Sequence, residues 1–279
     1  MNAIRPNHGS RISPERDTST VLTVDQGNTA IKLDLWQGAP EEEWTHVDHL
    51  AISPDETDAI LAWIEAHAPQ GGIYCSVGRM DVRLIETLRC LLGDRLLVLT
   101  HSVPLPIGVR YDTPSTLGAD RVAAACGAHA LLPGRDCVIA DAGTALTVDR
   151  LTADGFFAGG TISPGLSLRL RSLHDHTSRL PLLSTADIDP ADIPALGYDT
   201  RTSILSGAIR GAAAEIALAL PRGEAPLLIL TGGDAPLLAP IVRSLLPDSA
   251  TMLALPRLMS RGLLSIYFHN EANPNDDNP

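Results

Sequence analysis

Short apolar runs alternate with longer stretches of helical spacing along most of the chain. "VLTVDQ" (21–26) reads as a short buried strand. "AIKLDLW" (30–36) alternates apolar and polar after a glycine turn, so the two form a hairpin. "ETDAILAWIEAHA" (56–68) places Ile60, Leu61, Ile64 and Ala68 at helical intervals. "GIYCSV" (72–77) is strand-like, "DVRLIETLRCLL" (81–92) an amphipathic helix, and "RLLVLT" (95–100) another strand. A helix is expected over 115–132, after a loop.

The pattern then restarts. "CVIADAGTALTVDRL" (137–151) repeats strand, Asp-x-Gly and strand, and "GFFAGGTI" (155–162) continues it. A long Ala-rich helix follows over 200–220. "APLLILTGGDAPLLAPIVRSLL" (225–246) reads as strand, glycine turn and helix, and 258–270 as a closing helix. Asp25-Gln-Gly-Asn-Thr29 and Asp141-Ala-Gly-Thr144 occupy equivalent points 116 residues apart. This near-repeat implies two similar α/β halves with a cleft between them as the ligand site. The halves are expected over 19–120 and 121–270, with a disordered extension over 1–18 and a disordered acidic tail over 271–279.

Composition narrows the function classes. The chain has 279 residues, 44% of them hydrophobic, and a net charge of −12. Such acidity offers no basic footprint for nucleic acid or an anionic membrane. No stretch reaches the ~18 apolar residues of a membrane span. The polar N-terminus lacks the apolar core of a secretory signal. Cys75, Cys90, Cys126 and Cys137 have no C-x-x-C spacing and read as buried thiols of a cytoplasmic protein. Among 21 basic residues there is one lysine, Lys32, three positions beyond Thr29.

A glycine turn lets backbone N–H groups approach a phosphate, and an aspartate ending the preceding strand suits a cation that bridges phosphates. The alternative for each turn alone is a plain hairpin. "LTGGD" (230–234) is a third such junction, on the adenosine side of a nucleotide or simply a tight turn. In "GVRYDTPSTLGADR" (108–121), Ser115 or Thr116 suits a helix cap, and Asp120 and Arg121 point about 100° apart. Asp120 suits proton acceptance and Arg121 an anionic partner; the alternative is a first-turn acid with a surface companion. His174 and His176, flanking Asp175, read as structural rather than metal ligands. P-loop, dinucleotide-fold and nucleophile-elbow motifs are absent.

Taken in order over 20–268, the motifs resemble those of the type III pantothenate kinases, of the acetate-kinase/sugar-kinase/Hsp70/actin superfamily. They are Asp25-x-Gly-Asn-Thr29, Tyr111 with Pro114, Gly118-Ala-Asp-Arg121, Asp141-Ala-Gly-Thr144, Gly159-Gly-x-Ile-x-Pro-Gly165 and Asp199-Thr200. The resemblance implies two ribonuclease-H-like (actin-like ATPase) halves facing a central nucleotide cleft. It implies ATP-dependent phosphorylation of pantothenate, the first step of coenzyme A synthesis. Asp25, Gln26, Gly27, Asn28, Thr29, Ala30, Ile31, Lys32 and Thr144 would contact ATP. Asp120 would be the proton acceptor, and Tyr111, Gly118, Ala119, Asp120, Arg121 and Thr200 would line the pantothenate site. Asp141 would hold a monovalent cation, K⁺ or NH₄⁺, and Asp25 would lie near Mg²⁺–ATP. The resemblance also implies a homodimer. The competing readings are a non-catalytic nucleotide-binding regulator on the same scaffold and a related small-molecule kinase.

Overall fold

The structure is a computed structural model that describes residues 18–39, 44–78, 80–186, 188–221 and 225–273. The expected disordered ends fall outside these residues, apart from Thr18 and residues 271–273. The first sheet contains β1 (Ser19–Gln26), β2 (Ile31–Gly38), β3 (Thr45–Ile52), β4 (Gly71–Ser76) and β5 (Leu96–Val98), in the order β3-β2-β1-β4-β5. Helices α1 (Thr57–His67) and α2 (Val82–Leu92) cross over between its parallel strands. The second sheet contains β6 (Gly108–Val109), β7 (Cys137–Ala142), β8 (Ala145–Leu151), β9 (Phe156–Pro164), β10 (Leu227–Thr231) and β11 (Thr251–Ala254). Its order is β11-β10-β7-β8-β9-β6. Without β6, this is the first sheet's topology repeated, down to the antiparallel hairpin and the parallel strands beyond it. The chain crosses to the second sheet already at β6, before residue 120.

Strand alternation sorts the side chains into three cores. Leu22, Val24, Ile31 and Leu33 face outward from the first sheet and pack with Ile60, Ile64, Leu84 and Leu88 of α1 and α2. Val138, Ala140, Leu146 and Val148 face outward from the second sheet. They pack against α5 (Thr200–Leu218) and α6 (Ala235–Leu245). Between the sheets lie α3 (Ala119–Leu131) and α7 (Leu258–Ala272), in a core with Trp36, Cys75, Ile139 and Phe157. Truncating a fully buried side chain such as Phe157 costs about 3–5 kcal/mol. α3 and α7 touch backbone to backbone: a Cβ on Gly262 would collide with the Ala123 carbonyl, and one on Gly127 with that of Leu258. The layers are therefore helices, sheet, helix pair, sheet, helices. At one edge of this core, Asp25, Asp34 and Asp141 meet the N-terminal ends of α3 and α7 at Asp120 and Leu258.

Two local readings change, and two elements appear where none was expected. The helix expected from 115 begins at Ala119 with Gly118 as its cap, after a 3-10 turn over Pro114–Thr116. Neither Ser115 nor Thr116 is the cap. Residues 166–175 form α4 (Leu166–Asp175), whose Leu-x-Leu-x-Leu spelling mimics strand alternation while only Leu166 and Leu170 are buried. β3 escapes notice because this edge strand mixes His46, Asp48 and His49 with its apolar residues and only Leu50 and Ile52 pack toward the core. Cys90 is exposed on α2, whereas Cys75, Cys126 and Cys137 are buried.

Candidate active site

The equivalent strands β1 and β7 each carry an inward-facing aspartate as their penultimate residue. Val21, Thr23 and Asp25 share the inner face of β1; Cys137, Ile139 and Asp141 share that of β7. Each strand then turns through a glycine held alike. Gly27 N–H donates to the Ala30 carbonyl and Gly143 N–H to that of Ala145, both at 3.0 Å. The two turns meet across the cleft, with Thr29 and Thr144 hydroxyls 3.2 Å apart. The third glycine junction joins them. Gly232 has φ +94°, and a Cβ there would press on the Ala142 carbonyl and the Asp141 carboxylate.

A cavity of about 550 Å³ lies between the halves, lined by Asp25, Gly27, Asn28, Lys32, Asp120, Asp141, Thr144 and Gly232 among others. A second cavity of about 530 Å³ is lined by Val77, Thr100, His101, Leu105, Gly118 and Ala119. The first turn of α3 divides them. Ala119 faces the second cavity, Asp120 the first, and Val77 borders both. Asp120 lies in the first turn of α3, where the helix N-terminus favours negative charge, and its Oδ1 accepts from the Arg121 N–H at 2.8 Å.

Three carboxylates thus share one concave space. Burial raises Asp25 to about 6, with Lys32 opposing and Asp120 and Asp141 reinforcing the rise. Burial likewise raises Asp141 to about 6, with Lys32 opposing and Asp120 and Asp149 reinforcing. Lys32 faces Asp25 across the β1–β2 ladder, Nζ to Oδ2 3.7 Å. Oxygen-only donors, crowded and only partly offset by Lys32, fit a hard cation such as Mg²⁺ or K⁺. Asp25 and Asp141 are the residues that would hold one.

The remaining sequence-derived residues separate. Gln26 turns out of the cleft, its side-chain oxygen accepting from Tyr74 and from the Asp81 N–H. The Ile31 side chain is buried in the outer core. Arg121 is 4% exposed and its Nε lies 3.1 Å from both oxygens of Asp149 on β8, beneath Tyr111 and Phe157. Tyr111 stands edge-on to Phe157. Thr200 opens α5 on the exposed surface and lines neither cavity. His174 gives its Nδ1 to the Leu180 carbonyl at 2.9 Å and belongs to no metal-type cluster among the described residues.

Sequence reading missed Asp34, His49, Thr147 and Asp149. Asp34 and Thr147 line the cleft with His49, and Asp149 anchors Arg121. The signal was present in the repeat: Asp34 stands opposite Thr23 on β1, and Asp149 opposite Ile139 on β7, the same place in each hairpin.

Residues 21–220 match the family model described as type III pantothenate kinase. A type III pantothenate kinase of Porphyromonas gingivalis is 38% identical over 246 residues, 85% of this chain and 97% of its own. One from Christiangramia forsetii is 40% identical over 239 residues, 83% of this chain and 94% of its own. Among solved structures, a conserved Baf family protein from Campylobacter jejuni superposes with a TM-score of 0.56 at 24% identity, over 91% of this chain and all of its own. Component A of the (R)-2-hydroxyglutaryl-CoA dehydratase of Acidaminococcus fermentans does so with a TM-score of 0.51 at 14% identity, over 90% and 97%. At those identities the likeness shows the fold, that of the actin-like ATPases.

Proposed function

This chain belongs to the type III pantothenate kinases, enzymes that phosphorylate pantothenate with ATP and a divalent metal, and we propose that its two cavities divide that reaction between them. The cleft cavity takes the nucleotide and the second cavity takes pantothenate. The observation that carries this reading is the placement of Asp120 where the two spaces meet. The backbone N–H groups of the Gly27 and Gly143 turns, with Asn28 and Thr144, hold the phosphates from both halves. Asp25 would hold Mg²⁺ beside them, and the ion would supply neutralisation of the phosphate oxygens. The primary hydroxyl of pantothenate attacks the γ-phosphorus, the bond from that phosphorus to the β,γ-bridging oxygen breaks, and Asp120 accepts the hydroxyl proton. The products are ADP and 4′-phosphopantothenate. Positioning and charge supply most of the rate in such transfers.

Asp141 is the seat of a monovalent cation in this reading, because its ladder partner is the neutral Thr147 where Asp25 has Lys32. Arg121 acts from beneath. Paired with Asp149, it fixes the first turn of α3 and hence the aim of Asp120. Thr200 joins the acceptor site from a second copy of the chain, which accounts for its distance from both cavities and for the exposed Leu196 and Tyr198 beside it. The protein is then a homodimer. The absence of any helix long and apolar enough to cross a membrane, among the described residues, accords with work in the cytoplasm.

The test is Asp120→Asn. Turnover is expected to fall about 10²–10⁴-fold while ATP binding stays unchanged. ATP consumption near the wild-type rate would remove Asp120 as the proton acceptor. Pantothenate-independent consumption would favour a different acceptor.

A further inference from the structure

A second polar cluster stands on the cleft wall, apart from the three carboxylates. Asp34 faces inward from β2, 5% exposed. Its Oδ1 lies 2.8 Å from His46 Nε2, 2.9 Å from His49 Nδ1 and 3.3 Å from Arg257 Nε. Both histidines come from β3, three residues apart, a spacing that normally sends side chains to opposite faces. The register slips between Leu35 and Trp36, so that Leu35 pairs with Asp48 but Trp36 with His46, leaving Val47 unpaired. This bulge reverses the parity and turns both imidazoles toward Asp34. One ligand atom from each of the three residues lies within 4.8 Å of the others. His46 is braced edge-on against buried Trp36, and the cleft reaches Asp34 and His49.

We propose that Asp34, His46 and His49 form a binding site for a borderline transition-metal cation of the Zn²⁺ class, distinct from the oxygen-only cation seat between the glycine turns. Two imidazoles and one carboxylate are the donors such ions select and Mg²⁺ or K⁺ does not. Three protein ligands leave a coordination position open toward the cleft. Arg257 is the natural competitor. It is 40% exposed, it holds the same oxygen that the metal would take, and it does so from a left-handed conformation, φ +58°, unusual for a residue other than glycine. Metal entry displaces that guanidinium, so the site alternates between an arginine-held and a metal-held state. The equivalent aspartate in the other half shows the contrast. Asp149 has both oxygens taken by buried Arg121 and faces Gly160 where Asp34 faces His49.

The experiment is calorimetric titration of chelator-treated full-length protein with Zn²⁺, without nucleotide, alongside absorption spectra with Co²⁺. Expected are one site per chain and visible Co²⁺ bands of low-symmetry nitrogen ligation. His46→Ala and His49→Ala each weaken Zn²⁺ at least about tenfold and abolish the bands, while Arg257→Ala tightens it. Asp25→Asn and Asp141→Asn leave Zn²⁺ binding in place. Thermal melts of both histidine variants check that the fold persists. The proposal is overturned if the wild type binds no Zn²⁺. It is equally overturned if both folded histidine variants bind it as the wild type does, or if binding is lost in Asp25→Asn or Asp141→Asn instead.

Discussion

The two halves repeat one topology but hold their inward aspartates differently. At the strand end, Asp25 faces Lys32 across its ladder, while Asp141 faces Thr147. One step deeper, Asp34 and Asp149 are each held by an arginine from the N-terminal end of a central helix: Arg257 beside α7 for Asp34, Arg121 of α3 for Asp149. Each helix follows the half opposite the aspartate it holds, so the arginines cross-brace the halves. The brace at Asp149 is sealed, both side chains under 5% exposed; the one at Asp34 is loose, half-solvated and shared with two histidines. Outward faces of both sheets must pack against helices, which keeps their alternation alike. Inward positions near the cleft bear less of that packing load, and there the halves differ, with a fixed positive charge opposite Asp25 and a neutral threonine opposite Asp141.

Breaking the sealed brace gives the largest expected effect. Asp149→Asn strands a buried guanidinium and should cost about 3–5 kcal/mol of stability, measured by denaturant unfolding. The matching change in the loose brace, Asp34→Asn, should cost about 1 kcal/mol, since its partners can turn to water. Equal costs would erase the distinction between the braces.

The raised carboxylates give a pH effect of similar size. Asp25 and Asp141 have folded values of about 6 against an ordinary 3.8, so the folded state binds more protons between those limits. Stability from this source is present at and below the ordinary value and is lost as pH rises through about 6, about 3 kcal/mol per group. Nucleotide-free protein should therefore gain more from added K⁺ and Mg²⁺ at pH 7.5 than at pH 5 in melting experiments. A gain independent of pH would remove the carboxylates as the cation seat.

Moving the fixed charge tests that difference directly. Thr147→Lys gives the second half the first half's ladder pair, and the variant's rate should respond less than about threefold to replacing K⁺ with Na⁺. A K⁺ response matching that of the wild type would show that Asp141 does not seat the ion. The smallest effect is expected for Lys32→Arg. It keeps the charge beside Asp25 but replaces a compact head with a planar fork, and ATP affinity should fall about twofold to fivefold. Unchanged affinity would mean that the chain's one lysine is there for its charge alone.

Local signals carried much of the fold. The β1–β2 hairpin, the restart at 137 and the glycine junction at 232 follow from short-range alternation and turn chemistry, and the strands and helices fall where that pattern places them. β3 and α4 were illegible for opposite reasons. The edge strand carries His46, Asp48 and His49 among its apolar residues, and a bulge breaks its alternation; only Leu50 and Ile52 pack toward the core of α1. The helix spells out a two-residue period that only its packing on the second sheet overrides. In the cleft, Asp25, Asp120 and Asp141 were legible because each belongs to a motif. Thr147, Asp34 and Asp149 were not, because no motif marks them and their roles depend on ladder partners.

The sequence by itself determined the duplicated architecture, the family and the glycine-turn clasp, since these rest on periodicities and motifs written within about thirty residues. Only the tertiary structure decided that Arg121 serves Asp149 rather than the open cleft, that Gln26 and Ile31 turn away from it, and that a bulge aims His46 and His49 at Asp34. Those outcomes depend on which strand lies beside which and in what register. A shift of one residue in pairing reverses the face on which every later side chain falls.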